Sequence, residues 1–326
     1  MGSTGRHVST GQLPSADAVA RVVDDAHHRF AAIDDGSVSD VYPALARVEP
    51  KLFGVCVVGA SGAVHTAGDA DHPFALMSVA KPFTLALVAQ HIGFEAVREQ
   101  VGVNATGRPF NSVAAVELSL DGRTNPMVNA GAIATASMVP GTSAGERWAL
   151  LLDGLSRFAG HPLTLDEEVY ASASATNLRN RSIAEMVNAR GGISGDPDEA
   201  LDRYTRQSSV AVTARDLAVM GATLATGGVN PLTGERVVDE DVCHDVLAVM
   251  VTAGLYETSG DWLCDVGLPG KSGIGGGIVT VSPGKGGLGT FSPRLDAAGN
   301  SVRGQRVAAH LSRALGLDLF ASRSGG

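Results

Sequence analysis

Two periodicities follow one another along this chain in an order that few folds accommodate. Strand-like segments stand near both ends, and between them lies a long stretch whose apolar residues recur at helical spacing. Phe53 to Val58, the turn Ala60-Ser61-Gly62 and Ala63 to Ala67 read as a β-hairpin. Gly277 to Val281 with Gly287 to Phe291 read as a second hairpin, far down the chain. Val19, Val22, Val23, Ala26, Phe30 and Ile33 predict a helix before the first hairpin, with Ser15 placed to cap it. A long helix begins near Ser78. The middle, about Glu95 to Asn188, has helical stretches and no strand-turn-strand signature. Thr213-Ala214-Arg215-Asp216 has capping-box form ahead of Leu217, Met220 and Leu224, and Gly227-Gly228 ends that helix. Val242, Val246 and Val249 mark another helix, and a last one runs from about Asn300 to Leu315. The pattern predicts an α+β architecture: an antiparallel sheet lobe flanked by helices, with an inserted helical lobe. The expected organisation is a disordered stretch over 1–14 and one domain over 15–318. Its sheet lobe would take about 15–77 and 205–318, and its helical lobe about 78–204. The last residues, 322–326, are also expected to be disordered.

Composition excludes several function classes. With 326 residues, 44% of them hydrophobic, the chain can bury a full core without disulfides or metal staples. The net charge of −9 and the absence of any basic run give no support for binding nucleic acid or an anionic membrane. Cys56, Cys243 and Cys264 are odd in number, far apart and without a CxxC pair, which suits a reducing compartment. Cys243 stands beside His244 but lacks a second ligand pair, so no metal site is expected. Met1 to Gln12 lacks the apolar run of a signal peptide, and the best apolar segment, Phe74 to Phe94, carries Lys81, Pro82 and His91. A cytoplasmic protein without a membrane span is expected.

Ser78-Val79-Ala80-Lys81 is the first chemical signal. At a helix start, positions three apart share a face, so hydroxyl and amine can meet. Burial among Leu76, Met77 and Phe83 would lower the lysine's pKa and let it serve as the base a serine nucleophile needs. The helix N-terminus would favour charge developing on Ser78. Ser-x-x-Lys by itself arises by chance in many chains, where it is a capping serine and a surface lysine. Lys271-Ser272-Gly273, most of a domain later, is the second signal, as in enzymes that pair Ser-x-x-Lys with Lys-Thr/Ser-Gly. The glycines that follow allow close approach to a substrate, and the Ile274 N–H could donate to an oxyanion. Two phosphate-loop look-alikes fail. Gly267 to Ser272 lacks the first Walker glycine, which would fall at Asp265. Gly284-Lys285-Gly286-Gly287-Leu288-Gly289 matches GxGxxG but is followed by strand and breaker rather than a helix.

A set of colinear blocks resembles the signatures of the bacterial glutaminases, within the serine beta-lactamase-like superfamily. They are Pro109-Phe110-Asn111-Ser112, Asn125-Pro126-Met127-Val128-Asn129-Ala130-Gly131-Ala132-Ile133, Arg179-Asn180-Arg181, Leu201-Asp202-Arg203-Tyr204, Gly254-Leu255-Tyr256, Lys271 to Gly277, Phe291-Ser292-Pro293 and Gly299 to Gly304. The resemblance runs from about Gly36 to Leu315. It implies a serine beta-lactamase/DD-peptidase-like fold and hydrolysis of L-glutamine to L-glutamate and ammonia through a Ser78 acyl-enzyme. Lys81 would be the base. Tyr204 and Tyr256 would relay protons or hold substrate, Asn129 and Asn180 would bind the amino-acid head group, and the N–H groups of Ser78 and Ile274 would form the oxyanion hole. A tyrosine near Lys271 is expected to have a lowered pKa. The resemblance implies a small-molecule amide substrate, no cofactor, and a homodimer or homotetramer. Alternatives are a related carboxamide hydrolase with altered head-group specificity, a penicillin-recognising serine acyl hydrolase and a non-catalytic amino-acid-binding protein. Four positions depart from the family's pattern. Ala173 stands where a glutamate is usual, Met77 where a glutamine is, and Ser208 where a cysteine is. Val41 stands where a tyrosine is usual, with Tyr42 adjacent.

Overall fold

A computed structural model describes residues 11–119 and 121–322. The disorder expected over 1–10 and 323–326 lies outside the described residues. Leu13 packs against the core, so the ordered chain begins before Ser15, earlier than the apolar periodicity suggested. In chain order the helices are α1 (Ala16–Phe30), α2 (Ala80–Ile92), α3 (Phe94–Val101), α4 (Val113–Glu117), α5 (Asn129–Ser137), α6 (Ala144–Ala159), α7 (Glu167–Thr176), α8 (Leu178–Ala189), α9 (Pro197–Ser208), α10 (Ala214–Ala225), α11 (Glu240–Ala253), α12 (Ser259–Asp265) and α13 (Val302–Ala314). The strands are β1 (Gly54–Gly59), β2 (Val64–Gly68), β3 (Phe74–Ala75), β4 (Thr164–Leu165), β5 (Val210–Val212), β6 (Gly270–Ser272), β7 (Gly277–Ser282) and β8 (Gly286–Phe291).

Both predicted hairpins form, and they join. β1 pairs antiparallel with β8 at Gly54↔Phe291, giving a five-stranded sheet in the order β2-β1-β8-β7-β6. The strands β1, β7 and β8 are buried throughout because both faces are covered. Val55 and Val57 face Val19, Val23 and Leu311 of α1 and α13, whereas Cys56 and Val58 face Ala218, Val219 and Ala222 of α10. The GxGxxG segment is the β7–β8 turn and the start of β8. Its glycines are there for packing: a Cβ on Gly287 would lie 2.3 Å from the Ala218 carbonyl, and one on Gly289 only 2.0 Å from that of Ala214. Helix α10 therefore rests backbone-to-backbone on β8. It starts at the capping box read from the sequence, with Asp216 N–H donating to Thr213 Oγ1 at 3.0 Å and Thr213 N–H to Asp216 Oδ2 at 2.8 Å. Ser15 stands at the α1 N-cap, but its side chain makes no capping bond; its carbonyl accepts from Ala18 and Val19 instead.

Helix α2 is buried from Ala80 to Ala89 and is the axis of the largest core cluster. An apolar helix with no polar face must be wrapped by others, and α3, α5, α6 and α11 pack against it. Helix α11 lies beyond residue 205 in sequence yet contributes Cys243, Val246, Leu247 and Met250 to this core. A small antiparallel sheet, β3-β5-β4, ties the two lobes together. Its β4 sits in the middle region that read as helical. Two residues are too few to leave a strand periodicity. Phe74 of β3 stacks on Phe291 of β8 with ring centroids 4.1 Å apart.

Gly289→Ala should destabilise the fold by about 1–3 kcal/mol or more, because the new methyl has backbone as its neighbour and cannot be accommodated by a side-chain shift. Urea unfolding checks this; an unchanged midpoint would show that α10 can lift from the sheet at little cost.

Candidate active site

The segment leading into α2 carries the chemistry. Met77–Val79 is one 3₁₀ turn, and Met77, immediately before Ser78, holds a left-handed φ of 47°. That bend presents Ser78 at the start of a buried helix, and Lys81 follows on the same face. Lys81 Nζ lies 2.7 Å from Ser78 Oγ and donates to Asn129 Oδ1 at 2.9 Å. Asn129 opens α5 and also accepts from the Tyr204 hydroxyl at 3.0 Å, while its Nδ2 donates to Asn180 Oδ1 at 2.8 Å. Ser78, Lys81, Asn129, Asn180 and Tyr204, drawn from α2, α5, α8 and α9 and the turn before α2, thus form one hydrogen-bonded constellation.

Tyr256 and Lys271 approach from the other side. Tyr256 stands beside Ser78 and donates to the Ser272 carbonyl at 3.2 Å. Its own φ of 57° is the second left-handed non-glycine backbone among the described residues. Lys271 on β6 is fully buried, donates to the Ser272 carbonyl at 2.6 Å, and lies 4.2 Å from the centre of the Tyr256 ring. The turn after β6 crosses the start of α2 so closely that a Cβ on Gly273 would sit 3.2 Å from Ser78 N. Ile274 follows. Among the described residues, neither the Ser78 nor the Ile274 N–H has a hydrogen-bond acceptor.

Burial sets the electrostatics. Among the described residues no carboxylate pairs with Lys81 or Lys271. Desolvation alone lowers Lys81 to about 7, and desolvation with the charge of Lys81 holds Lys271 well below the ordinary lysine value. The tyrosines correct one expectation. Burial pushes Tyr256 up to about 12, against the opposing hydrogen bonds from Ser78 and Ser272, and pushes Tyr204 well above its usual value. Lys271 cannot lower Tyr256, because the same burial discourages the positive charge that would do so. Both phenols therefore stay protonated, able to donate.

A cavity opens on Ser78, lined by Val41, Tyr42, Phe110, Asn111, Asn129, Thr176, Asn177, Arg179, Asn180, Tyr204 and Ile274 among others. Tyr42 lies beside Asn180 and takes the interior position next to exposed Val41. Ala173 is buried one helical turn before Thr176 and Asn177 and does not itself line the cavity. Asp40 is exposed, and Glu168 is engaged at the surface by Arg47, so neither supplies a carboxylate to the cavity. Phe110 packs on the Tyr256 ring at 4.4 Å, and Arg179 Nε donates to the Asn111 carbonyl. The Gly299 to Gly304 block braces the site from behind, with Asn300 holding Ser272 and Thr258. Sequence reasoning did not single out Asn177, whose side chain links Asn180 to Thr205. Its one available signal is its position three residues before Asn180 at the junction of α7 and α8.

A family model described as Glutaminase matches residues 36–320. Glutaminase 2 of Yersinia pestis is 64% identical over 97% of this chain and 93% of its own length. A glutaminase of Colwellia psychrerythraea is 47% identical over 94% of this chain and 99% of its own. Among solved structures, the probable glutaminase ybaS superposes with a TM-score of 0.93 at 44% identity, covering 95% of this chain and all of the other. Mglu in its glutamate form gives 0.87 at 38% identity, covering 96% and 71%.

The buried amine has a signature in stability. Lys81 titrates near 7 in the folded chain and near 10.4 when unfolded. Between those values the unfolded chain binds more protons, so this group makes folding more favourable as pH rises through the window and penalises it below. Lys81→Met removes the penalty. It should raise the urea midpoint relative to the parent more at pH 6.5 than at pH 10. A pH-independent difference would rule out a lowered Lys81.

Proposed function

The chain belongs to the glutaminase family and hydrolyses L-glutamine to L-glutamate and ammonia, and we propose that Ser78 carries the reaction through an acyl-enzyme with Lys81 as its base. The observation that supports this most is the 2.7 Å contact between Ser78 Oγ and a fully buried Lys81 whose amine is lowered to about 7. A neutral amine at neutral pH can accept the hydroxyl proton as Oγ attacks the side-chain carbonyl. The free N–H groups of Ser78 and Ile274 receive the oxyanion, aided by the start of α2. Collapse of the tetrahedral intermediate breaks the C–N bond. The leaving nitrogen takes a proton from the Lys81 ammonium, directly or through the Tyr256 hydroxyl, which the ammonium reprotonates, so ammonia departs with the Lys81 amine neutral again. Water then attacks the acyl carbon while Lys81 accepts its proton, and as the C–Oγ bond breaks the Lys81 ammonium returns that proton to Ser78 Oγ, releasing glutamate and restoring the neutral amine. Lys271 supports this arrangement by packing on Tyr256 and fixing the Ser272 carbonyl.

Asn129, Asn180 and Tyr42 hold the head group in this reading, with Arg179 at the rim facing its carboxylate. Among the described residues the cavity lining includes no acidic side chain to meet the α-ammonium, which favours a finer reading in which the head group is recognised chiefly through its carboxylate. The free thiols support a cytoplasmic enzyme, and family membership supports a homodimer or homotetramer. No helix among the described residues is long and apolar enough to cross a membrane.

Ser78→Ala and Lys81→Met should each abolish ammonia release while leaving the circular-dichroism spectrum unchanged, because nucleophile and base act as a unit. Near-parental turnover in either variant would exclude this mechanism. With chemistry rate-limiting, kcat should rise from acid through pH ~7 toward mildly alkaline pH, following deprotonation of Lys81; a flat profile from pH 6 to 9 would reject the lysine base. Ala173→Glu, reaching from one turn away, should lower KM for L-glutamine about 10- to 100-fold by adding one charge-assisted hydrogen bond. It should bring no gain for α-N-acetylglutamine. Equal effects on both substrates would refute carboxylate-centred recognition.

A further inference from the structure

A one-way chain of hydrogen bonds runs from the backbone of α9 to Lys81. The Leu201 carbonyl can only accept, and Thr205 Oγ1 donates its single proton to it at 2.8 Å. Thr205 Oγ1 is left with lone pairs alone, so the Asn177 group 3.0 Å away must be its Nδ2 donor. Asn177 Oδ1 then accepts from Asn180 Nδ2 at 2.7 Å, and Asn180 Oδ1 accepts from Asn129 Nδ2 at 2.8 Å. Asn129 is thereby compelled to turn its oxygen, rather than its nitrogen, toward Lys81 and Tyr204. The orientation of three side-chain amides, ordinarily ambiguous between oxygen and nitrogen, is dictated by one helix carbonyl.

We propose that Thr205 and Asn177 are positioning residues that set the polarity of Asn129 and so leave the lone pair of Lys81 free for the Ser78 hydroxyl. This rests on the reading of Lys81 as the base of Ser78. With Asn129 oxygen facing it, a neutral amine gives one N–H to that oxygen and keeps its lone pair for the serine proton. With the amide reversed, Asn129 Nδ2–H would compete with the Ser78 hydroxyl for that lone pair. The ammonium form would also lose its acceptor. Both consequences reach the rate: fewer molecules hold a serviceable base, and the base becomes weaker. Both are buried, Asn177 between the side chains of Asn180 and Thr205, and Thr205 between the Asn177 side chain and the Leu201 carbonyl, which suits an orienting role.

The test is Thr205→Val, which keeps the shape and removes the hydroxyl, with Thr205→Ser as the rescue. The groups facing Lys81 are Ser78 on its own turn, Asn129 from α5, Tyr204 from α9 and the charge of Lys271 from β6. Burial keeps Tyr204 protonated, and the contacts of Lys271 with Ser272 and Tyr256 lie outside the chain of amides. A moved acid limb therefore reports on Lys81. In Thr205→Val the plateau kcat for L-glutamine should fall about 10- to 100-fold, the scale on which loss of an orienting outer partner is felt. Its acid limb should move to lower pH, and Thr205→Ser should restore both. Asn177→Leu, measured in parallel, should reproduce the Thr205→Val profile. A Thr205→Val enzyme that keeps the parental plateau and acid limb overturns the proposal, as does one whose plateau falls with an unmoved limb. If Thr205→Val does not fold, the Asn177→Leu profile decides by the same criteria. Lys81→Met separates the two layers: residual turnover there refutes the base itself, whereas an inactive Lys81→Met beside an unaltered Thr205→Val refutes only the polarity relay.

Discussion

Everything in the site follows from placing an amine where water cannot reach it and, among the described residues, giving it no carboxylate. A lysine on the surface would be charged at neutral pH and useless as a base. Lys81 is fully buried inside the lobe whose axis is α2, and desolvation brings it to about 7. A carboxylate partner would have restored the charge. The surroundings are instead neutral dipoles: the Asn129 oxygen, the Ser78 hydroxyl and the face of Tyr204. These satisfy the N–H groups of the amine without fixing a proton on it. Such an environment requires a thick hydrophobic wrapping, and α2 is apolar all round because it provides one.

The two lobes meet at the nucleophile, and the cost of that meeting is visible in the backbone. Met77 and Tyr256 are the two non-glycine residues with left-handed φ among the described residues, and both touch Ser78 or precede it. Such conformations cost about 1–3 kcal/mol each and persist only where surrounding structure over-determines them. Here the small sheet fixes the approach to Met77, since Leu76 N–H donates to the Val210 carbonyl and Phe74 stacks on the large sheet. Tyr256 is fixed by the Phe110 and Lys271 contacts and by the end of α11. The strain is confined to the two residues that aim the serine and its phenol.

The sequence carried the chemistry more openly than the architecture. Ser78 and Lys81 were legible because helical spacing alone puts them in contact, and both hairpins because turn residues punctuate them. Pairing of β1 with β8 joins residues from opposite ends of the chain, and no local pattern announces it; only the joint burial of the two hairpins demands it. The membership of α11 in the helical core was illegible for the same reason. The pKa of Tyr256 was misjudged because proximity to a lysine suggests a lowered value, whereas the outcome depends on whether that lysine is itself charged, and burial decides that. Asn177 and Thr205 were invisible because an asparagine and a threonine at helical positions look like caps or solvent-facing groups until their partners are known.

Apart from the Lys81 amine, partly protonated at neutral pH, a site built this way is almost uncharged at rest. Both phenols are protonated and the cavity lining carries no acid, so Arg179 at the rim is the single permanently charged side chain among the lining residues. The oxyanion arises only as the reaction proceeds, beside the Lys81 ammonium, in a low-dielectric interior where dipoles already in place act most strongly. Among the described residues the N–H groups of Ser78 and Ile274 have no other acceptor to release, and Asn129 already presents its oxygen to the amine. Little reorganisation is then left for the transition state to demand. The charges of the bracing segment find their partners outside the site: Asp296 accepts from the Asn300 N–H and from Gln305 Nε2, and Arg303 donates to the carbonyls of Ile33 and Lys51.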